Sequence, residues 1–357
     1  MNKTTTAVVF HYVEIDPCFF HRNSDLLRFG EQSHLQQTVA SSAAASIASL
    51  LVLLSYRPPG PSFNCNGQRM DNLRDVQQKE EDTAKQQRPT VSLARSGIAK
   101  DFSGTTAELF ELQRQAGHNV FGDDACFIAS HMSTYAAGVA DGVGGWRRYG
   151  VDPSKFSSQL MKNCADIVTS GEFLSQRPDL IISKAFSQLR SKTRPVGSST
   201  ACVLVVHDRT LYAANLGDSG YMIYREGKVV FRSPEQTHYF NAPYQLSLLP
   251  DRFYSPTYKG KANYIGDTPE STDLREHKLK PGDLLLIASD GLWDNVSEEK
   301  IAELLNGVEP TEASLQARCN TLALIARHLA ADEHYDSPFA RRAKLHGINA
   351  PGGNPTM

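Results

Sequence analysis

The sequence predicts an α+β domain in which strands come in runs and helices in pairs. Three observations predict it. Four strand-like segments, Thr200–Val206, Thr210–Leu216, Gly220–Arg225 and Lys228–Arg232, follow one another with only HDR, GDS and EG between them. Two helical patterns, over Ser154–Ser170 and Pro178–Ser191, stand side by side. The steady strand–helix alternation of a parallel sheet is missing. Composition agrees: 357 residues, 40% hydrophobic and 21% charged, are ordinary for a globular chain. With 37 basic against 39 acidic residues the net charge is −2, which gives no basic footprint for nucleic acid.

The first ninety residues read as an extension. Val39–Leu54 is a run of 16 residues, rich in Ala and Ser, below the roughly 20 that a spanning helix needs. We read it as a weakly ordered helix or low-complexity tail, with a membrane or targeting segment as the alternative. Glu14, Asp16, Asp25 and Glu31 are acids that a transit peptide normally avoids. Residues 57–90 are turn-rich, then charged and Gln-rich, and cannot offset their ordering entropy by burial, so they read as linker. Folded material is expected from about Val91, giving an extension over 1–90 and a domain over 91–357.

Inside the domain, Ala125–Ser130 and Thr134–Asp141 read as strands joined by a short turn. Phe156, Leu160, Cys164, Ile167 and Val168 recur at helical spacing, and Pro178 suits a helix start. The four later segments read as one antiparallel meander. Asp283–Ser289 is a continuous apolar strand. Ser297 caps a helix over Glu298–Leu305, whose first-turn acids suit the positive end of the helix dipole, and Thr311–Ala331 is a longer helix. None of the six cysteines forms a C-x-x-C pair; Cys126 and Cys202 sit in apolar runs and should pack as small hydrophobes.

Chemistry is carried by aspartates at the ends of apolar strands. They occur in Gly122-Asp123-Asp124, Ala140-Asp141-Gly142, Gly217-Asp218-Ser219 and Ser289-Asp290-Gly291-Leu292-Trp293-Asp294. One Asp-Gly is usually a turn. Four such corners with few basic neighbours, Arg147 and Arg148 being the nearest, are costly unless a cation joins them. Oxygen ligands select Mg²⁺ or Mn²⁺ over zinc.

At these segments the chain resembles a known family. VADGVGGW (139–146), GSSTA (197–201), NLGDSG (215–220) and ASDGLWDNV (288–296) look like the signature segments of the metal-dependent PP2C-type (PPM) protein serine/threonine phosphatases. GDDACF (122–127), GVADGVGGWRRYGVDPS (138–154) and THYFNAPYQL (237–246) are similar to its mitochondrial PTC7-like branch, insect members especially. The resemblance spans about residues 91–353. It implies a β-sandwich of two antiparallel sheets flanked by helices, with two Mn²⁺ or Mg²⁺ ions at one edge. Asp141 would bridge both ions, Gly142 would offer its carbonyl to the first, and Asp290 would ligate the second. Asp123 and Asp124 would hold metal-bound waters, and Asp218 and Asp294 would belong to the surrounding acidic shell. Catalysis would run through Asp141 and Asp290 by an activated water attacking phosphoserine or phosphothreonine in line. The implied partner is a phosphoprotein substrate, without nucleic acid or stable membrane insertion, in the mitochondrion or otherwise the cytoplasm.

Three departures from the pattern matter. Val143 stands where many members carry a histidine proposed as general acid; His118 lies near the first acidic motif as a weak substitute. Asn119 stands where many carry a phosphate-gripping arginine. After Gly352-Gly353 the sequence reads Asn354-Pro355-Thr356-Met357, without the Asp-Asp-x-Thr segment and closing strand expected of the family. A second-metal carboxylate and the last strand of the sandwich are therefore expected to be missing. The alternative function is a catalytically impaired, phosphatase-like binding protein. A nucleotide-binding enzyme is disfavoured, since no P-loop or G-x-G-x-x-G opens a helix.

Overall fold

The computed structural model describes residues 49–57, 90–98, 118–250 and 265–354. Strands β1 (Ser49–Arg57), β2 (Thr90–Ile98), β3 (His118–Phe121), β4 (Asp124–His131) and β5 (Thr134–Asp141) come first. A 3-10 turn (Gly144–Tyr149) leads into helices α1 (Ser154–Ser170) and α2 (Pro178–Lys192). Next come β6 (Gly197–Ser199), β7 (Ala201–His207), β8 (Thr210–Leu216), β9 (Gly220–Arg225) and β10 (Lys228–Arg232). Short strands β11 (Thr237–Tyr239), β12 (Ala242–Pro243) and β13 (Leu246–Leu248) precede β14 (Asp273–Lys278) and β15 (Leu284–Ala288). Helices α3 (Asp290–Trp293), α4 (Glu298–Leu305), α5 (Glu312–Ala330) and α6 (Pro338–Leu345) complete the described chain.

The strands form a six-stranded sheet, β14-β8-β7-β5-β4-β3, and a five-stranded sheet, β10-β9-β15-β1-β2. Three apolar clusters make the layers. Cys126, Val139, Cys202 and Leu204 of the first sheet meet Tyr221, Ile223, Leu285 and Ile287 of the second, which is the inside of the sandwich. The outer face of the first sheet packs on Phe156, Leu160 and Ile167 of α1 and Ile181 and Leu189 of α2. The outer face of the second packs on Ile301, Leu305, Leu315 and Leu322 of α4 and α5. The architecture is a sandwich of antiparallel sheets with helices on both sides, as the resemblance implied. Burial of Cys126 and Cys202 in the inter-sheet core matches their apolar runs.

Two expectations need correction. The segments from Thr200 to Arg232 are not one meander: β7 and β8 belong to the six-stranded sheet, β9 and β10 to the other. The corner Gly217-Asp218-Ser219 carries the chain between sheets. Gly217 has φ 108°, and a Cβ there would meet Thr200 Cγ2 and the Tyr244 carbonyl oxygen at 2.7 Å. A turn with that backbone and no side chain redirects the strand instead of closing a hairpin.

Folding also starts before Val91. Ser49–Leu54, expected in a weak helix or tail, belongs to β1, which lies between β15 and β2. A short apolar run fits a buried strand as well as a helix, and periodicity does not separate the two. The rest of Val39–Ala48 and most of the expected linker lie outside the described residues. Among the described residues no helix is long and apolar enough to cross a membrane.

Candidate active site

The site forms where strands of both sheets end together. β4 and β5 pair antiparallel with Asp124 opposite Asp141, so the start of one strand lies beside the end of the other. β8 ends at the Asp218 corner, and the last pair of β15 with β9 is Ala288–Gly220, just before Asp290. Antiparallel topology thus delivers aspartates that are far apart in sequence to one end of the sandwich.

The GSSTA segment frames Asp141. Thr200 N–H donates to the Asp141 carbonyl at 3.0 Å, the Asp141 N–H donates to Thr200 Oγ1 at 3.0 Å, and Thr200 Oγ1 and Ser219 Oγ lie 2.8 Å apart. Val143 N–H donates to the Ser198 carbonyl at 3.0 Å. On the other side, Gly142 N–H and Ser157 Oγ both donate to the Asp123 carbonyl, at 3.1 and 2.5 Å. A Cβ on Gly142 would come within 2.7 Å of the carbonyl oxygens of Asp123 and Pro153, so glycine is required by close backbone approach.

The carboxylates crowd one another. Asp123, Asp124, Asp218, Asp290 and Asp294 are buried, and Asp141 is partly open. Burial, then the charges of Asp124 and Asp218, push the Asp141 carboxyl well above the usual range, while a hydrogen bond with Asp290 acts the other way. Burial, then Asp290, Asp294 and Glu235, push Asp218 well up too. Ser289 Oγ donates to Asp124 Oδ2 at 2.7 Å. Asp290 Oδ1 is a buried oxygen that accepts no hydrogen bond within the protein. Buried, mutually repelling oxygen donors of this kind suit a hard divalent cation. Among the described residues no three acidic, His or Cys side chains form a ready-made cage for one ion, so a cation here would complete its shell with backbone oxygen and water.

Asp123 and Asp294 are engaged differently. Arg147 forks onto Asp123, its Nε 3.3 Å from Oδ2 and its Nη2 on Oδ1. Asp294 takes Arg342 on Oδ1 and the Asn354 amide on Oδ2 at 2.7 Å. Arg342 also donates to Glu235 at 2.9 Å. Even so, burial leaves the Asp294 carboxyl above the usual range. Arg342, Glu235 and Asn354 were not anticipated from the sequence. Arg342 comes from a remote segment with no local motif around it, while Glu235 and Asn354 lie beside the THYFNAPYQL and Gly352-Gly353 segments without standing out as site residues.

These shifts fix a pH dependence. For Asp141 and Asp218 the folded-state value lies above the unfolded one, so between the two the native state binds more protons. Metal-free stability is then highest near and below the ordinary aspartate value and falls as pH rises above it. Divalent cations bind the deprotonated form, so their stabilisation grows over the same interval. In thermal melts at about pH 5.5 and about pH 7.5, we expect the chelated protein to melt lower at the higher pH and the Mn²⁺-induced gain to be larger there. A chelated protein that melts higher at the higher pH would contradict this assignment.

Comparison with known proteins agrees with the geometry. A profile of the protein phosphatase 2C family matches residues 154–239. The chain is 45% identical over 240 residues to the protein phosphatase PTC7 homolog of Xenopus laevis, covering 66% of this chain and 78% of the relative. It is 44% identical over 240 residues to the human PTC7 homolog, covering 66% and 76%. Over 237 residues it is 41% identical to the PTC7 homolog fig of Drosophila melanogaster, covering 65% and 73%. Among solved structures, the photosystem II phosphatase PBCP is similar with a TM-score of 0.54 and 28% identity, over 68% of this chain and 90% of that one. Acidic strand ends converging on one edge of a two-sheet sandwich, together with these likenesses, make the chain a member of the protein phosphatase 2C family.

Proposed function

We propose that this metal-dependent protein serine/threonine phosphatase works with a pair of Mn²⁺ or Mg²⁺ ions held by Asp141, Asp290 and the Gly142 carbonyl. The observation that carries the reading is the meeting of Asp141 and Asp290. They follow strands of different sheets, yet their carboxyls lie close enough for Asp290 to act on the titration of Asp141, and Asp290 Oδ1 is buried without a hydrogen bond within the protein. Such ions supply Lewis acidity and an acidified water near neutral pH. The protein supplies placement. Thr200 and Ser219 fix the Asp141 backbone, Ser289 orients Asp124, and Trp293 Nε1 donates to the Ala288 carbonyl at 2.9 Å, holding the turn that presents Asp290. Asp124 and Asp123 orient water near the reacting phosphoryl group, and Asp218 adds negative charge behind them. Val143 contributes backbone only, so no side chain at this position protonates the leaving alkoxide.

The test is hydrolysis of a phosphothreonine peptide by the full chain, with Mn²⁺ titrated after chelation. Turnover should rise from background with the ion and return to background with chelator. No turnover in a folded preparation at millimolar Mn²⁺ would reject the reading. A second reading, a phosphoprotein-binding protein without turnover, draws support from Val143 and from Asn354, an amide where it meets Asp294. Saturable phosphopeptide binding without product would favour it. A mitochondrial location follows only from likeness to the PTC7-like branch, and organelle fractionation tests it.

A further inference from the structure

We propose that Arg147 is the side chain that grips the substrate's phosphate, with Asp123 acting as its backstop. The inference rests on the phosphatase reading and adds a substrate-binding residue to it.

The electrostatic need comes first. A phosphate monoester is a dianion, and the site that must receive it is lined by Asp124, Asp141, Asp218 and Asp290. Bound cations offset part of this repulsion. A guanidinium offers more, because its planar fork matches two phosphate oxygens at once.

Among the described residues, Arg147, Arg232 and Arg342 interact with acids of the cluster, and two of these are already committed. Arg342 closes on two carboxylates, Glu235 and Asp294. Arg232 lies 3.7 Å over the Trp293 ring and donates to Ser233. Arg147 differs. Its side-chain hydrogen bonds go to one carboxylate, and its side chain is 53% exposed while that of Asp123 is 2% exposed. Those bonds use the Nε and one Nη2 proton, and a guanidinium carries five N–H groups. One edge of the fork is thus anchored in the protein while the side chain keeps a broad opening to water.

The segment that carries Arg147 is fixed beside the site. It follows Asp141-Gly142 directly, as part of the 3-10 turn Gly144–Tyr149. Trp146 Nε1 donates to Ser198 Oγ at 2.7 Å, and Gly150, at φ 72°, donates back to the Arg147 carbonyl at 2.9 Å. The same Ser198 accepts Val143 N–H through its carbonyl, so the turn and the Asp141 strand end are tied to one residue. A guanidinium anchored at both backbone and side chain loses little freedom when an anion arrives. Asp123 therefore has a task besides orienting water: it aims the fork.

The test compares Arg147→Ala and Arg147→Lys with the parent, using the full chain with Mn²⁺. Phosphopeptide hydrolysis is read together with calorimetric binding of inorganic phosphate. For Arg147→Ala we expect KM and the phosphate Kd to rise together by about tenfold or more, with a smaller change in kcat. Mn²⁺ affinity should stay at the parental value, while melting temperature falls because the buried Asp123 carboxylate loses Arg147. Lysine restores the charge without the fork and should fall between the two. An unchanged phosphate Kd would overturn the proposal. So would a rise matched by an equal loss of Mn²⁺ affinity, since that pattern marks a residue that merely holds Asp123 in place. Parental turnover tests the phosphatase reading separately. If the parent binds phosphate without turnover, the phosphate Kd of the two variants still decides the role of Arg147.

Discussion

Asp141→Ala will abolish hydrolysis and, without metal, will not cost stability. The two effects have one cause. In the parent, Asp141 is pushed well above the usual carboxylate range by burial and by the charges of Asp124 and Asp218. Holding it charged near neutral pH therefore works against folding. Alanine removes that burden and keeps the backbone bonds to Thr200, which use the Asp141 N–H and carbonyl and not its side chain. The metal-free variant should melt at or above the parental temperature. The Mn²⁺-induced gain in melting temperature should disappear, because the proposed shared ligand is gone. The expected loss in kcat/KM is at least about 1,000-fold, about 4 kcal/mol of transition-state stabilisation. Stability and activity moving in opposite directions mark a site strained for function. A variant that melts well below the parent in chelator would instead make Asp141 a structural residue. Retained turnover would remove it from the centre of the mechanism.

What the sequence makes legible here follows contact range. Asp123, Asp124, Asp141, Asp218 and Asp290 stand out because each sits at the end of an apolar strand, beside small residues that mark a corner. Helix α4 is readable to the residue: Ser297 caps it, accepting from the Lys300 N–H, as local chemistry requires. Arg342 and Glu235 have no such signal. Their pairing with each other and with Asp294 depends on how α6 docks, which no local pattern encodes. The change of sheet after β8 is hidden for a related reason. GDS reads equally as a hairpin turn or as a corner, and only the packing of Leu285 and Ile287 against the first sheet separates the two. Gly352-Gly353 is legible as the start of the family's last segment, but not for what it does in the packing. Its use is tight passage: a Cβ on Gly353 would come within 2.2 Å of the Leu329 carbonyl oxygen, and only beyond this point can Asn354 reach Asp294.

Leu53→Pro will destabilise the whole sandwich, although residue 53 lies far in sequence from every catalytic candidate. β1 pairs on both sides, from Ser49–Ile98 to Arg57–Thr90 with β2 and from Leu51–Ala288 to Ser55–Leu284 with β15. Leu53 stands opposite Ala94 on one side and Leu286 on the other. In a strand flanked on both sides every N–H belongs to a ladder, so proline removes a bond wherever it falls. The acceptor left behind is buried and costs about 1–3 kcal/mol, and ring clashes raise the total to roughly 3 kcal/mol. For a domain of this size that corresponds to about 6–12 °C in melting temperature. The effect reaches the site because β15 runs directly into Ser289 and Asp290. With β1 displaced, β15 keeps only β9 as a hydrogen-bonded neighbour, so Mn²⁺ affinity should fall along with stability. Leu53→Ile keeps the N–H and the volume and should cost less than about 1.5 kcal/mol. The sheet thus owes its continuity between β2 and β15 to a segment that composition alone assigns to an extension. A proline variant with parental melting temperature and Mn²⁺ affinity would show that this segment does not hold that place in solution.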